Sequence, residues 1–489
     1  MATDAATHTL GSGTFVVIGD TNVARRACAS LRTRGRDVVH LVAPGDEDLR
    51  TAMRERPAGV AVLVDGDLAA LRYALATAHV SPEAPLVVSI FDHTVSDQLV
   101  RLLPHCEVTS PGDLAAPALA GACLDREAIA IHHTARGAVA VRETPAGLGL
   151  APWRLSTRAR WRARGGRLTG QFRPHDAGTR ILLAGLLGML GVLLADWAWL
   201  VTSMGHAPAD ALHEAVRVVT TVGPASTLPE HESYLVLASV AMLATLVFAA
   251  MFTAGLVDRL LGPRLVGMVG PRTLPRADHV IVVGLGQVGL RLCQELIQLG
   301  VPVIGVERNP SAPHLRIART LGIPVIVGHG GDRAVLERLR LRRALALAAV
   351  GSDDLDNIAV AVAAHGVAPG THVVLRAGEH EAIAETRSLL PLGVTRDVTN
   401  LSAAYVVARL LGLAATSAVP HTNHIYLEVA GEGFLPWPMS PWDRCEHFDS
   451  AMTKLPDGSG TDAFSGRGCQ SPPLSADRVA ARSHEPHRG

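Results

Sequence analysis

Two apolar runs, Ile181 to Val201 and Tyr234 to Val257, constrain this chain more than any other feature. At about 1.5 Å of rise per residue, each is long enough as a helix to cross the hydrocarbon of a bilayer. A helix buried in a soluble core normally keeps a polar stripe. The second run holds no charge and the first only Asp196. Charged residues make up 18% of the chain and mean hydropathy is +0.25, which agrees with two segments in lipid and argues against disorder. Asp196, toward the far end of the first run, is expected near the interface or facing protein or water, and reads first as an interfacial residue beside Trp197 and Trp199 in an aromatic belt.

Arginine gives the orientation. Arg154, Arg158, Arg160, Arg162, Arg164, Arg167, Arg173 and Arg180 precede the first run, and Arg259, Arg264, Arg272 and Arg276 follow the second, while the connector holds only Arg217. Both termini are therefore expected in the cytoplasm of a multi-pass cell-membrane protein. Met1 to Gly13 does not resemble a cleavable signal. Residues 151–180 read as a basic juxtamembrane linker that lies against membrane lipid. The 45 basic and 45 acidic residues cancel, so no nucleic-acid partner is expected. Six cysteines show no C-x-x-C or zinc spacing, and His421 with His424, and His132 with His133, read as surface or core histidines rather than metal ligands. No arginine ladder runs through either span, so no voltage-sensing helix is expected.

The connector is the informative part of the membrane region. Ala209 to Val219 reads as a short amphipathic helix, followed by Thr220, Thr221, Val222 and Gly223. Thr and Val favour an extended strand, and Gly permits unusual dihedrals. Span, short helix, T-T-V-G, span resembles the pore of potassium channels. That resemblance implies an ion filter at Thr220 to Gly223, where main-chain carbonyls from four copies replace the hydration shell of K+ or another monovalent cation. The pattern then departs from the family. Pro224, Ala225 and Ser226 stand where an aromatic residue, a second glycine and usually an aspartate follow, so cation conduction is expected without strict potassium selectivity.

His279 to Asn309 reads as strand, glycine turn, helix, strand. Gly284, Gly286 and Gly289, with Gln287 and Val288 between them, form G-x-G-x-x-G at the junction of strand and helix, the context of a dinucleotide site. The helix N-terminus would hold the phosphates. Glu307 ends the second strand, where a carboxylate accepts from a ribose 2′-hydroxyl and repels a 2′-phosphate, so NAD(H) is favoured over NADP(H). Arg308 beside it could contact a phosphate instead. Ile326 to Asp332 and Ala348 to Asn357 resemble the acidic stations of the potassium-conductance regulators, the RCK or TrkA-N domains, over about 275 to 415. The resemblance implies that Asp332, Asp353 and Asp354 border the nucleotide pocket; read alone, they fit helix N-caps or turn residues equally well.

The chain also resembles itself. Phe15 to Pro44 matches Val280 to Asn309 without a gap, pairing Gly19 with Gly284, Arg26 with Arg291 and Cys28 with Cys293. Thr21 and Ala24 replace the second and third glycines and Val42 replaces Glu307, so this copy is expected to keep the fold, to have lost or weakened its dinucleotide site, and to serve assembly of a ring beneath the pore.

The expected fold class is two α/β Rossmann-like domains flanking an α-helical two-span transmembrane pore module. The N-terminal Rossmann-like domain covers 1–150 and the linker 151–180. The pore module covers 181–257, with spans 181–201 and 234–257 and pore helix and filter at 209–226. A second linker covers 258–278, an RCK/TrkA-N NAD-binding domain 279–415, and a partial second lobe with a disordered tail 416–489, of which His424 to Val429 is the one strand expected. The function that follows is a nucleotide-gated cation channel, a homotetramer. Its rivals are a non-conducting NAD-binding regulatory subunit of a potassium transport system and a membrane-tethered NAD-dependent oxidoreductase. No residue set for hydride transfer is visible, so catalysis is not expected.

Overall fold

The computed structural model describes residues 13–145, 147–168, 177–223, 232–261, 274–377, 393–422 and 424–437. The first lobe alternates strands β1 (Phe15–Ile18), β2 (Val38–Leu41), β3 (Gly59–Val62), β4 (Leu86–Ser89) and β5 (Cys106–Thr109) with helices α1 (Asn22–Thr33), α2 (Asp46–Arg54), α3 (Asp67–Val80), α4 (His93–Leu102) and α5 (Pro111–Leu124). Its five strands are parallel in the order β2-β1-β3-β4-β5. Helices cover both faces of such a sheet, which is why β1 and β3 are apolar and buried without alternation. A three-stranded antiparallel meander, β6 (Ala128–Thr134), β7 (Gly137–Thr144) and β8 (Gly147–Pro152), ends this lobe.

After α6 (Thr157–Leu168) come α7 (Ala177–Thr202), α8 (Pro208–Val219) and α9 (Glu232–Leu261). Within α7 and α9, Gly178–Thr202 and Tyr234–Asp258 are long and apolar enough to cross a membrane. Only 17% and 11% of their most apolar windows are buried, whereas the core helix of a soluble protein is mostly buried. The two helices run antiparallel and touch along glycines. A Cβ on Gly185 would meet Phe252 N at 2.5 Å and one on Gly255 would meet Leu182 N at 2.6 Å, the close backbone approach that small residues allow between helices in lipid.

Asp196 is 4% exposed and faces protein, enclosed where α7, α8 and α9 meet. One expectation for this region is corrected. Thr220 to Val222 do not form an extended strand. Thr221 N–H donates to Val218 O and Val222 N–H to Arg217 O, with Thr221 at φ +59°, so these residues close the C-terminus of α8 in the left-handed cap that glycine usually provides. The unsatisfied carbonyls of the last helical turn outweigh the intrinsic preference of Thr and Val for extended backbone. The departure at Pro224 to Ser226 lies outside the described residues.

The second lobe alternates β9 (Val280–Val283), α10 (Gln287–Gln298), β10 (Val303–Glu307), α11 (His314–Thr320), β11 (Val325–Val327), α12 (Arg333–Arg338), β12 (Ala346–Ala349), α13 (Asp354–Val367), β13 (Val373–Ala377) and β14 (Val394–Asp397). Its sheet is parallel, ordered β11-β10-β9-β12-β13-β14, the doubly wound Rossmann arrangement. Helix α14 (Val398–Leu410), N-capped by the Asp397 side chain, leads to a meander of β15 (Ala415–His421), β16 (His424–Val429) and β17 (Gly433–Trp437). The single strand expected at His424 to Val429 is thus the centre of three. Its flanks read poorly because their apolar residues are interrupted by Pro420 and Pro436. The tail expected to be disordered lies outside the described residues beyond Trp437.

The lobes exchange helices. Helix α5 of the first packs on α10 of the second, and α14 of the second packs on α1 of the first. Polar ties fix the exchange: Tyr405 on α14 donates to Glu107 Oε1 at 2.7 Å, and Arg291 on α10 pairs with Asp113 on α5 at 2.8 Å.

His279, buried at the start of β9, lies with Nε2 3.0 Å from Leu339 O. Burial pushes its imidazole down to about 4. The unfolded chain protonates this group near pH 6.5, so the neutral form favours the fold. Its contribution is complete above about pH 6.5 and is lost as pH falls toward about 4, of order 3 kcal/mol over that window. In mild detergent, the apparent unfolding midpoint of the wild type is expected to fall more steeply across that range than that of His279→Gln.

Candidate functional site

The carboxyl ends of both parallel sheets open into one cavity of about 930 Å³. This is where open α/β sheets hold ligands, because the strand order reverses there and leaves a crevice between diverging loops. The second lobe supplies most of the lining through the ends of β9, β10, β11, β12 and β13.

The glycine turn after β9 is built as the motif requires. Gly284 sits at φ +89°, where a Cβ would meet Gly351 Cα at 2.7 Å, so both backbone conformation and space demand glycine. A Cβ on Gly289 would overlap the Gly284 carbonyl, so this glycine lets α10 approach β9. Gly286, the N-cap of α10, is different: a Cβ there would meet no protein atom within 4 Å, and the residue faces the cavity. The N-terminus of α10, with Gln287 and Val288 in the lining, therefore presents main-chain amides to open space.

Glu307 closes the other side of the turn. Its carboxylate accepts from Leu285 N–H at 2.9 Å and from Asn309 N–H at 3.0 Å, which fixes it at the tip of β10. Arg308 pairs with Asp356 at 3.1 Å, and His329 approaches the other Asp356 oxygen at 3.4 Å. Asp353 caps α13, accepting from Leu355 and Asp356 N–H groups, and also lines the cavity. Asn357 donates to Gly351 O and accepts from Gly351 N–H, so α13 is bolted to the end of β12. Arg376 reaches the lining from β13; burial lowers its guanidinium from the usual range, opposed by Asp354 and Asp397.

The structure thus brings Gly284, Gly286, Gln287, Val288, Glu307, Arg308 and Asp353 into one lining. Gly289 stands behind the turn. Asp332 occupies the N-cap of α12, and Asp354 opens α13 where its charge acts on Arg376; neither lines the cavity. Sequence reading overlooked His329, Asp356, Asn357 and Arg376. The D-D-x-x-N spacing held a signal for Asn357, four residues after Asp353 and so one helical turn on.

In the first lobe the equivalent turn lines the same cavity but is tied down by its own side chain. Thr21 caps α1 by accepting from Ala24 N–H, and its hydroxyl donates to Leu63 O at 2.8 Å, bridging β1 to β3 where the second glycine would leave space. Val42 stands exposed at the tip of β2 and carries no acceptor for a ribose.

Residues 280–398 match the TrkA-N domain family. Among curated proteins, the chain is 35% identical over 83 residues to the Trk system potassium uptake protein TrkA of Streptomyces coelicolor, covering 17% of this chain and 37% of that protein. It is 25% identical over 190 residues to the voltage-gated potassium channel Kch of Escherichia coli, covering 37% of this chain and 44% of that one. A formate-dependent phosphoribosylglycinamide formyltransferase of Nitratidesulfovibrio vulgaris matches at 29% over 69 residues, 14% of this chain and 18% of the enzyme. The chain therefore spans less than half the length of each of these relatives. Among solved structures, the GsuK channel bound to NAD aligns with 82% of this chain and 64% of its own at 14% identity and a TM-score of 0.45, and the GsuK RCK domain aligns with a TM-score of 0.45.

Gly286→Ala is expected to leave the unfolding midpoint unchanged, because the new methyl touches no protein, and to weaken about tenfold or more the binding of whatever anionic ligand the crevice takes, with NADH as the fluorescent probe titrated. Gly289→Ala is expected to lower both the midpoint and the affinity.

Proposed function

From a chain that carries a TrkA-N domain at residues 280–398, we propose a membrane protein of potassium transport: a homotetrameric cation channel gated by NAD(H) at the second lobe. The observation that carries this reading is one polypeptide holding both a glycine-turn crevice with a fixed acidic tip, Glu307, and a span, short helix, turn, span module. The residues fit the dinucleotide. Amides at the N-terminus of α10 receive the pyrophosphate, open space at Gly286 admits it, and the Glu307 carboxylate accepts from the ribose diol.

Gating requires that NAD(H) bind one arrangement better than another. Helix α10 begins at the ligand and packs against the first lobe, one turn on, through Arg291 and Asp113, so a ligand that shifts the turn bears directly on the packing of the two lobes. The first lobe is read as a diverged copy whose turn Thr21 ties to β3 and whose role is assembly. The module at 181–257 is read as the conducting part, with Thr220 to Gly223 facing the ion path once four chains meet, K+ or another monovalent cation as permeant, and both termini in the cytoplasm.

A second reading is favoured by a specific observation. Arg217 Nε donates to Gly223 O at 3.2 Å, placing a cation on a carbonyl that a filter would offer to the ion. On that reading the chain is a non-conducting NAD-binding subunit of a potassium transport system.

Rubidium uptake into proteoliposomes, with and without NADH, separates the two. The channel reading expects uptake that changes with NADH and falls at least tenfold in Gly223→Ala, where glycine sits at φ +89°. Absence of uptake under every nucleotide condition, with NADH binding intact, leaves the regulatory subunit.

A further inference from the structure

Between the first lobe and the first membrane-length helix lies α6 (Thr157–Leu168). Its start is fixed: Ala159 N–H donates to Ser156 Oγ at 3.1 Å and Arg160 N–H to Ser156 O at 2.9 Å. Just before it, Trp153 is buried in the core shared by the lobes, and its main-chain N–H donates to Ala138 O at 2.9 Å. The far end is tethered as well. Leu168 and Ala177, the first residue of α7, are nine residues apart, so even a fully extended connection holds α6 within about 30 Å of the apolar helix.

The charge of this segment has one sign. From Thr144 to His175 the chain has seven arginines and no aspartate or glutamate. On α6, Arg158, Arg160, Arg162 and Arg164 are exposed, and Trp161 in their midst is 73% exposed. Arg158 and Arg164 stand three residues to either side of Trp161 and so flank it on the helix surface. Arg158 with Arg162, and Arg160 with Arg164, are like charges one helical turn apart, which destabilises an isolated helix, and α6 has no acid of its own to offset this. An anionic bilayer surface offsets both costs. An indole rests at headgroup level, and guanidinium groups reach phosphate oxygens while their stems cover apolar surface. RNA would answer the arginines too, but the tether to a helix long and apolar enough to cross a membrane favours the bilayer.

We propose that α6 is a binding surface for anionic phospholipid, with Trp161 seated among the headgroups and Arg158, Arg160, Arg162 and Arg164 on their phosphates. Each arginine near such a surface strengthens binding about fivefold. Because α6 is the connection between the first lobe and α7, the charge of the leaflet sets how firmly that lobe is held to the membrane. The inference rests on reading α7 and α9 as membrane spans, and it adds a class of lipid to that reading.

The test uses the full chain in phosphatidylcholine vesicles that carry a minor fraction of either brominated phosphatidylglycerol or brominated phosphatidylcholine. The Trp161 signal is the emission of the wild type less that of Trp161→Phe. Brominated phosphatidylglycerol should quench it at least about fivefold more effectively than brominated phosphatidylcholine at low salt, and high salt should remove the preference. The quadruple variant Arg158→Gln, Arg160→Gln, Arg162→Gln, Arg164→Gln should lose the preference, and the corresponding quadruple lysine variant, which keeps the charge, should retain it. Equal quenching by the two lipids overturns the proposal. A Trp161 that neither lipid quenches also overturns it, and a shift of that emission by polyuridylate in detergent then assigns the helix to nucleic acid. Loss of the preference on adding inorganic phosphate at constant ionic strength overturns it as well and assigns the arginines to a soluble anion. A chain that does not float with vesicles after an alkaline wash overturns the membrane reading itself, whereas one that floats without the lipid preference overturns this proposal alone.

Discussion

The helix exchange between the lobes organises everything that lies outside the membrane region. Helix α5 leaves one sheet to cover α10 of the other, and α14 returns the favour on α1. Neither sheet could bury its inward-facing helix alone, and the combined core runs from Phe15 to Trp437. A charge sits inside this junction. Arg291, almost wholly buried on α10, bonds Phe91 O, pairs with Asp113 and lies 4.3 Å over the Phe91 ring. A buried guanidinium is tolerated only when its donors are matched, so the two lobes hold one mutual orientation. That orientation faces the two strand-end crevices toward each other and makes them a single cavity.

How far this was legible in the sequence varied with the range of the forces involved. The Rossmann alternation, the glycine turn and the acidic tip were readable because each depends on residues adjacent in the chain: an apolar strand, a turn that needs positive φ, a helix that needs a close approach. The two long apolar helices were readable because length and apolarity alone decide them. The meander at Ala415–Trp437 was half hidden, since its short, proline-interrupted strands are stabilised by packing on α14 rather than by their own pattern.

Residues whose role depends on partners far along the chain were not readable. Asp356 becomes part of the site because α13 carries it to Arg308, 48 residues away, and to His329. Asp196 looked like a belt residue because sequence shows its tryptophan neighbours and not Glu214 and Tyr234, which close over it from two other helices. Thr220 and Thr221 illustrate a conflict between levels: local propensity favours an extended strand, while the open end of α8 takes the same residues as its cap.

The glycine seam between α7 and α9 has a mechanical corollary. Where a glycine of one helix meets the backbone of the other, as at Gly185 and Gly255, the two cannot rotate past one another without collision. The pair is therefore expected to move as one body, so that a displacement at one end of it is felt some 30 Å away, at the junction with the short helix.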